Sequence, residues 1–255
     1  MNTRLTLNRN EIRYDSPSFR GLHVINHRGP LVMKYLESNF RTVECALAQY
    51  PRTFATRFEL LFPQKTEGWQ TDVISKFTEA LKSEIGSYLR EKGLRADSCK
   101  PRFIWAKERS RSLNPHYHVM LFLNKDVFFR SGNIVSENWN LVRRIESAWA
   151  RALGVTYQEI SGLVHFPKNR DYIVNVRHEN FLQQLTDLFY RASYLAKEDT
   201  KEYSDGTRHF SCSHFTQPAY PSSLDSLIQY HKRNTCGILE GSYLLTSEFK
   251  RGLQQ

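Results

Sequence analysis

The chain has 255 residues and a formal net charge of +10, with a pI of about 9.5. This excess of lysine and arginine favours a polyanionic partner, although a generally basic globular protein would carry the same charge. No apolar run approaches the length of a membrane span, which argues against an integral membrane protein. The four cysteines follow no disulfide framework, and without a signal peptide they indicate a reducing, cytosolic setting.

The first elements in chain order are a polar stretch and one helix. Residues 1–29 show no regular pattern, whereas residues 31–49 carry apolar side chains at helical spacing. Pro51 then ends the helix. We therefore expect residues 1–50 to form an N-terminal extension with one helix, placed before the main domain.

The middle of the chain mixes apolar strands with amphipathic helices. Strand patterns cover residues 54–62, 102–108, 116–124 and 162–166, and helical patterns cover residues 72–93, 141–153 and 180–197. A short polar connection joins the second and third strands, which predicts an antiparallel hairpin. This order of elements predicts an α+β fold, in which helices pack on one side of an antiparallel sheet over residues 51–215. Residues 216–255 are expected to form a C-terminal extension.

Two histidines one residue apart begin the second hairpin strand. Because side chains alternate along a strand, His116 and His118 face the same side and can converge on one ion. The hairpin would bring Glu108 beside them. Two imidazoles and a carboxylate suit a divalent ion such as Mg²⁺, Mn²⁺ or Zn²⁺, with positions left open for a substrate. A pair of ordinary hydrogen-bonded histidines is the alternative interpretation.

The last predicted helix carries two tyrosines and a lysine on one face. Tyr190, Tyr194 and Lys197 stand at positions i, i+4 and i+7, so all three could point at the same metal centre. An ordinary amphipathic helix would also place half-buried aromatic residues there, with a lysine near the negative end of its dipole.

These motifs together resemble the HUH endonuclease superfamily of rolling-circle replication initiators. The His-Tyr-His strand, the Glu eight residues before it and the run YRASYLAK over residues 190–197 are similar to its two-tyrosine branch. Residues 57–213 resemble the inovirus-type replication protein family, also called the YagK/YfjJ C-terminal domain family; ELLFP at residues 59–63 and GLVHFP at residues 162–167 are similar as well. The resemblance implies a ferredoxin-like or RRM-like sheet and a nuclease domain over residues 51–215.

The resemblance also implies a reaction on single-stranded or hairpin DNA at a replication origin. A tyrosine hydroxyl would attack a phosphodiester, become joined to the 5′ phosphate and release a 3′ hydroxyl. Tyr190 and Tyr194 would alternate as nucleophiles beside Lys197, and the histidine pair with Glu108 would hold Mg²⁺ or Mn²⁺. The replicated molecule would be a phage, prophage or plasmid in the cytoplasm of a bacterial host, whose helicase and polymerase would act with this protein.

Basic and aromatic residues near the hairpin predict where a DNA strand would lie. Lys107, Arg109 and Arg111 would follow the phosphates, and Trp105 would stack on a base.

Three other functions are compatible with the same motifs. A transposase or a relaxase-type strand transferase would use the same chemistry. A non-catalytic DNA-binding regulator would bind DNA without a metal ion and without a covalent adduct. A nuclease that uses water as its nucleophile would cut DNA without becoming attached to it.

Overall fold

The computed structural model describes residues 11–27, 29–63, 72–109, 115–134, 139–198, 208–214 and 223–235. The chain divides into two compact units, residues 1–221 and residues 222–255. Among the helices of these described ranges, none is both long and apolar enough to cross a lipid bilayer.

Four short strands precede the first helix: three lie within residues 1–29, which the sequence predicts to be irregular, and the fourth lies at the start of the predicted helix. They are β1 (Arg13–Tyr14), β2 (Ser18–Phe19), β3 (Leu22–His23) and β4 (Leu31–Val32). β1 pairs with β4 and β2 pairs with β3, both antiparallel. Arg20 and Gly21 both have positive φ, as a tight two-residue hairpin turn requires. Helix α1 (Met33–Gln49) follows at once and confirms the helix expected over residues 31–49.

The rest of the larger unit builds one central sheet and the helices that cover it. In chain order these elements are β5 (Arg52–Leu61), α2 (Val73–Glu91), β6 (Arg102–Glu108), β7 (His116–Asn124), α3 (Leu141–Leu153), β8 (Val164–His165), β9 (Asp171–Asn175), α4 (Phe181–Ser193) and β10 (Phe210–Cys212). The sheet runs β10-β6-β7-β5-β8, and β9 also pairs with β5. Every pairing is antiparallel, so the predicted α+β class and the β6–β7 hairpin are confirmed. In the smaller unit, the described residues form helix α5 (Leu224–Thr235).

The two faces of the sheet have different surroundings. On one face, Tyr117 and its alternate neighbours along β7 join a buried core with α2 and α3, centred on Trp149. On the other face, Thr53 Oγ1 donates a hydrogen bond to the carbonyl of Ala46 in α1, and α4 packs against β9. Helices therefore cover both faces, and the expectation of helices on one side only is wrong. The apolar stripe of α1 needs a surface to bury it, and this second face provides that surface.

In the central sheet and its helices, the strands β9 and β10 and the end of α4 differ from the sequence pattern. β9 and β10 are short edge strands that the pattern does not predict, because a strand of three to five residues depends on the neighbour with which it pairs. α4 ends at Ser193, before the predicted end at residue 197. A 3₁₀ turn over Tyr194–Ala196 follows it directly.

Replacing Trp149 with alanine tests the core on the apolar face. Trp149 is 0% exposed, and its Nε1 donates a hydrogen bond to the carbonyl of Leu61 at 2.9 Å. We expect Trp149→Ala to reduce the free energy of unfolding by about 3–5 kcal/mol in urea denaturation. Trp139, which is 49% exposed, is the matched control, and Trp139→Ala should cost less than about 1 kcal/mol. Equal losses in the two variants would contradict this assignment of the core.

Candidate active site

Three side chains from the β6–β7 hairpin meet on the polar face of the sheet. Glu108 lies directly opposite His116 in the ladder, so the two residues face the same side, together with His118. The Nε2 atoms of His116 and His118 are 3.0 Å apart, and His118 Nε2 lies 3.2 Å from Glu108 Oε2. Ligand atoms from all three residues lie within 4.8 Å of one another. The structure thus brings together the three residues predicted to bind a metal ion.

Burial and charged neighbours shift the pKa values of the two histidines in opposite directions. Glu108 is 2% exposed and the side chain of His118 is 13% exposed. Burial lowers the pKa of His118, but hydrogen bonds to Glu108 and Glu59 outweigh it and raise that pKa above its ordinary value. Burial, and then the charge on His118, lower the pKa of His116. The pKa values of the two rings therefore differ, and as the pH falls His118 is protonated before His116.

The chemistry of these donors fits a divalent ion. Two imidazole nitrogens and one carboxylate oxygen converge from neighbouring strands, and three protein ligands leave coordination positions for water or substrate, as in catalytic sites. A closed structural zinc site would instead use four cysteine or histidine ligands. The residues Glu108, His116 and His118 could thus hold one divalent ion with an open side.

Glu59 also belongs to the site, although the sequence pattern does not predict this. It lies opposite His118 in the β5–β7 ladder. Its Oε1 is 3.3 Å from His118 Nδ1, and its Oε2 is 3.1 Å from His165 Nδ1. Burial raises the pKa of Glu59, but the hydrogen bond from His118 and the nearby imidazoles lower it to about 2. This carboxylate orients the His118 ring and leaves Nε2 for an ion. Only the register of β5 against β7, which the sequence does not state, could have identified it.

Tyr194 and Lys197 reach the cluster from the 3₁₀ turn after α4. In such a turn, side chains three residues apart eclipse one another, and Lys197 Nζ accordingly lies 4.6 Å from the centre of the Tyr194 ring. Lys197 Nζ donates to Tyr194 Oη at 3.3 Å and lies 3.6 Å from Glu108 Oε2. The Tyr194 ring packs edge-on against His118, with centroids 5.2 Å apart. A phenol and an ammonium group thus adjoin the three candidate metal ligands.

The N-terminal part of the larger unit holds the end of α4 in place. Asn39 of α1 donates a hydrogen bond to the carbonyl of Ala192, and the Ile25 amide donates to Ser193 Oγ. Leu31 forms a β-bridge with Lys197. The backbone that carries Tyr194 and Lys197 is therefore fixed by residues far upstream in the sequence.

The sequence model of the YagK/YfjJ C-terminal domain matches residues 14–213, which include this whole site. The chain belongs to the YagK/YfjJ C-terminal domain family. It is 31% identical over 210 residues to "Uncharacterized protein YagK" of Escherichia coli (strain K12), a match that covers 77% of this chain and 97% of that protein. It is 29% identical over 199 residues to "Uncharacterized protein YfjJ" of the same organism, covering 72% and 96% respectively.

One solved structure with some likeness to this YagK/YfjJ member is the N-terminal nuclease domain of minute virus of mice non-structural protein 1. It is 11% identical, covers 71% of this chain and 79% of that chain, and has a TM-score of 0.24. That nuclease domain is described as having a unique Zn²⁺ coordination in its active site pocket and a novel mode of DNA recognition at the origin of replication.

The two predicted tyrosines occupy different positions in this YagK/YfjJ member. Tyr194 packs on His118, whereas the Tyr190 ring contacts the guanidinium of Arg191 at 5.9 Å. Of these two tyrosines, Tyr194 is therefore the one that contacts a candidate metal ligand.

The residues predicted to bind DNA do not gather at this site. Trp105 is 9% exposed and packs edge-on against Tyr117 in the core of the opposite face, so base stacking on Trp105 is not available. Lys107 lies opposite Tyr117 and also belongs to that face. Arg109 is exposed next to Glu108, and Arg111 lies outside the described residues.

Removing one candidate ligand tests metal binding directly. We expect His118→Ala to weaken Mn²⁺ and Zn²⁺ binding by more than about 100-fold in calorimetric titrations, because a lost ligand costs more than a lost outer-shell partner. His23→Ala, which alters an exposed histidine of β3, should bind both ions like the unaltered protein. Undiminished binding by His118→Ala would remove His118 from the site.

The role of Glu59 has its own test. Glu59→Gln keeps the shape of the side chain but removes the charge that orients His118, so metal affinity should fall by about 10–100-fold. Glu79→Gln on the exposed surface of α2 is the control and should leave the affinity unchanged. If the affinities of the two variants are the same, Glu59 does not support the metal ligands.

Proposed function

We propose that this protein is a metal-dependent endonuclease and strand transferase for single-stranded DNA, and that it initiates rolling-circle replication of a phage, prophage or plasmid. The observation that supports this most directly is the position of Tyr194. Its hydroxyl lies 3.3 Å from Lys197 Nζ, and its ring packs on His118 of the candidate metal site. A phenol, an ammonium group and the candidate metal ligands are thus adjacent in one site, which is the set of groups that attack on a phosphodiester would use.

Tyr194 acts as the nucleophile in this proposal. The Tyr194 Oη–phosphorus bond forms as the bond from phosphorus to the 3′ oxygen breaks; the phenol loses one proton and the departing 3′ oxygen gains one. A free tyrosine has a pKa of about 10, so its oxyanion needs stabilisation at neutral pH. The ammonium of Lys197 stands next to the phenol oxygen and supplies positive charge there. The phosphotyrosine bond preserves the energy of the broken linkage, so the strand can be rejoined by the reverse step.

His116, His118 and Glu108 would hold the divalent ion, for which we propose Mg²⁺ or Mn²⁺; Zn²⁺ is equally compatible with these ligands. When bound, the ion supplies Lewis-acid stabilisation of the charge that develops on the attacked phosphate. Glu59 lies 3.3 Å from His118 Nδ1 and would orient that ring, leaving Nε2 available as a ligand. Lys197 also contacts Glu108, which links the nucleophile to the ligand set.

Tyr190 is the second nucleophile in this proposal. It stands four residues before Tyr194, about one helical turn away. A second transesterification would let the enzyme close one strand while it remains attached to another. Because Tyr194 is the tyrosine that contacts His118, we assign the first cleavage to Tyr194 and the second to Tyr190.

A covalent-adduct assay tests this function. The protein is mixed with Mn²⁺ or Mg²⁺ and labelled single-stranded DNA from its own genetic neighbourhood, and a denaturing gel reports a shifted protein–DNA band. We expect Tyr194→Phe to lower the rate of the first cleavage by at least about 100-fold, because a missing nucleophile has no substitute in that step. Tyr190→Phe should leave first cleavage intact and block the second transfer.

The controls separate this function from its competitors. Tyr230→Phe removes the hydroxyl of a tyrosine that is 62% exposed and should react normally, and a chelator should abolish the band. Cleavage without any shifted band would indicate hydrolysis by water. Tight binding of the DNA without cleavage, in the presence of each metal ion, would indicate a regulator.

A further inference from the structure

A small pocket next to the candidate active site is lined by two arginines. Arg57 stands two residues before Glu59 on β5, so both side chains leave the same face of the sheet. Arg191 stands three residues before Tyr194, on the side of α4 that turns towards this pocket. Both arginines, together with Glu59, His118 and Tyr194, line the pocket wall. The positively charged pocket is therefore continuous with the site of the proposed reaction.

The two guanidinium groups bring positive charge together in a partly buried place. The Nε of Arg57 is buried and has no hydrogen-bond partner within the described residues. Glu59, the acidic side chain on the pocket wall, forms its ion pairs with His118 and His165. Burial, and then the charge of Arg191, lower the pKa of Arg57. Two adjacent cations with an unmet donor make this pocket receptive to an anion.

Two tyrosine side chains contact Arg191. Its side chain hydrogen-bonds to Tyr172 of β9, and its guanidinium contacts the ring of Tyr190. Arg57 lies in β5, which has strand neighbours on both sides, and its amide donates to the carbonyl of Arg170. Both cations therefore come from rigid elements, which is the arrangement that a specific phosphate site needs.

We propose that Arg57 and Arg191 together bind one phosphate of the single-stranded DNA, adjacent to the phosphate that Tyr194 attacks. This inference rests on the proposed function, and it names the residues that set the register of the strand. Guanidinium groups suit phosphate because their planar donors pair with two oxygens at once. One phosphate held beside Tyr194 fixes which linkage comes next to the Tyr194 hydroxyl.

The test measures DNA binding without cleavage, so that it is separate from the proposed catalysis. The protein is titrated into a fluorescein-labelled single-stranded DNA in buffer that contains a chelator. Fluorescence anisotropy reports binding, and the titration is repeated over a range of salt concentrations. Arg57→Gln and Arg191→Gln should each weaken binding by about 10-fold, because each variant loses ionic hydrogen bonds to the phosphate. Because both arginines bind one phosphate, the double variant should lower the slope of log affinity against log salt by no more than about 0.7.

Arg52→Gln is the matched control. It removes the same charge from the same strand, but at an exposed arginine paired with Asp126, and it should bind DNA like the unaltered protein. Arg57→Lys should bind with intermediate affinity, because lysine retains the charge but loses the planar donors. Thermal melting checks the fold of each variant, and Arg191→Gln provides the test if Arg57→Gln fails to fold.

The possible outcomes separate this subsite from the proposed function. Binding by the Arg57 and Arg191 variants equal to that of Arg52→Gln would overturn the subsite and leave the nuclease proposal standing. Inorganic phosphate, titrated in the same buffer, distinguishes a free anion from DNA. If the variants lose phosphate binding but keep full DNA affinity, the DNA assignment is overturned. Failure of the unaltered protein to bind single-stranded DNA would refute the proposed function itself.

Discussion

The antiparallel pairing of β7 with β5 and β6 is the constraint on which the candidate site depends. It sets Glu108 opposite His116 and Glu59 opposite His118, one carboxylate from each neighbouring strand. A slip of one residue in either ladder would turn that carboxylate to the other face of the sheet. The apolar face opposes such a slip, because Phe58 and the other core side chains would then have to leave their buried positions. The hydrophobic core on one face of the sheet thus fixes the geometry of a polar site on the other face.

The polar cluster itself adds little to the stability of the fold. Moving a carboxylate, two imidazoles and an ammonium out of water is costly, and apolar side chains of similar size would fold at least as well. Glu108 and Lys197, both less than one-tenth exposed, are tolerated because they face each other across 3.6 Å. The arrangement is therefore better explained by a chemical role than by folding. Its stability comes from the strands and helices around it.

Much of the fold could be predicted from the sequence, because the strongest patterns belong to elements whose burial is regular. The hairpin strands and the helix α3 match their predicted bounds. The histidine pair and Glu108 could be predicted together because one hairpin contains all three. The places of Glu59, Arg57 and Arg191 in the site could not be predicted, because they depend on strand register and on the packing of α4. The sequence pattern places Trp105 against DNA because an aromatic residue among cations gives the same pattern on either face of a sheet, whereas the structure buries its ring in the core.

The link between the N-terminal residues and the end of α4 limits how this protein can be shortened. Asn39, Ile25 and Leu31 hold the backbone at Ala192, Ser193 and Lys197. A fragment that begins at residue 51 would contain the histidine pair, both carboxylates and the two tyrosines. It would lack the contacts from Ile25, Leu31 and Asn39 that hold the backbone at the end of α4. Such a fragment would retain the candidate metal ligands while losing the upstream support of Tyr194, the proposed nucleophile, so the segment from Ile25 to Asn39 is part of what builds the candidate site.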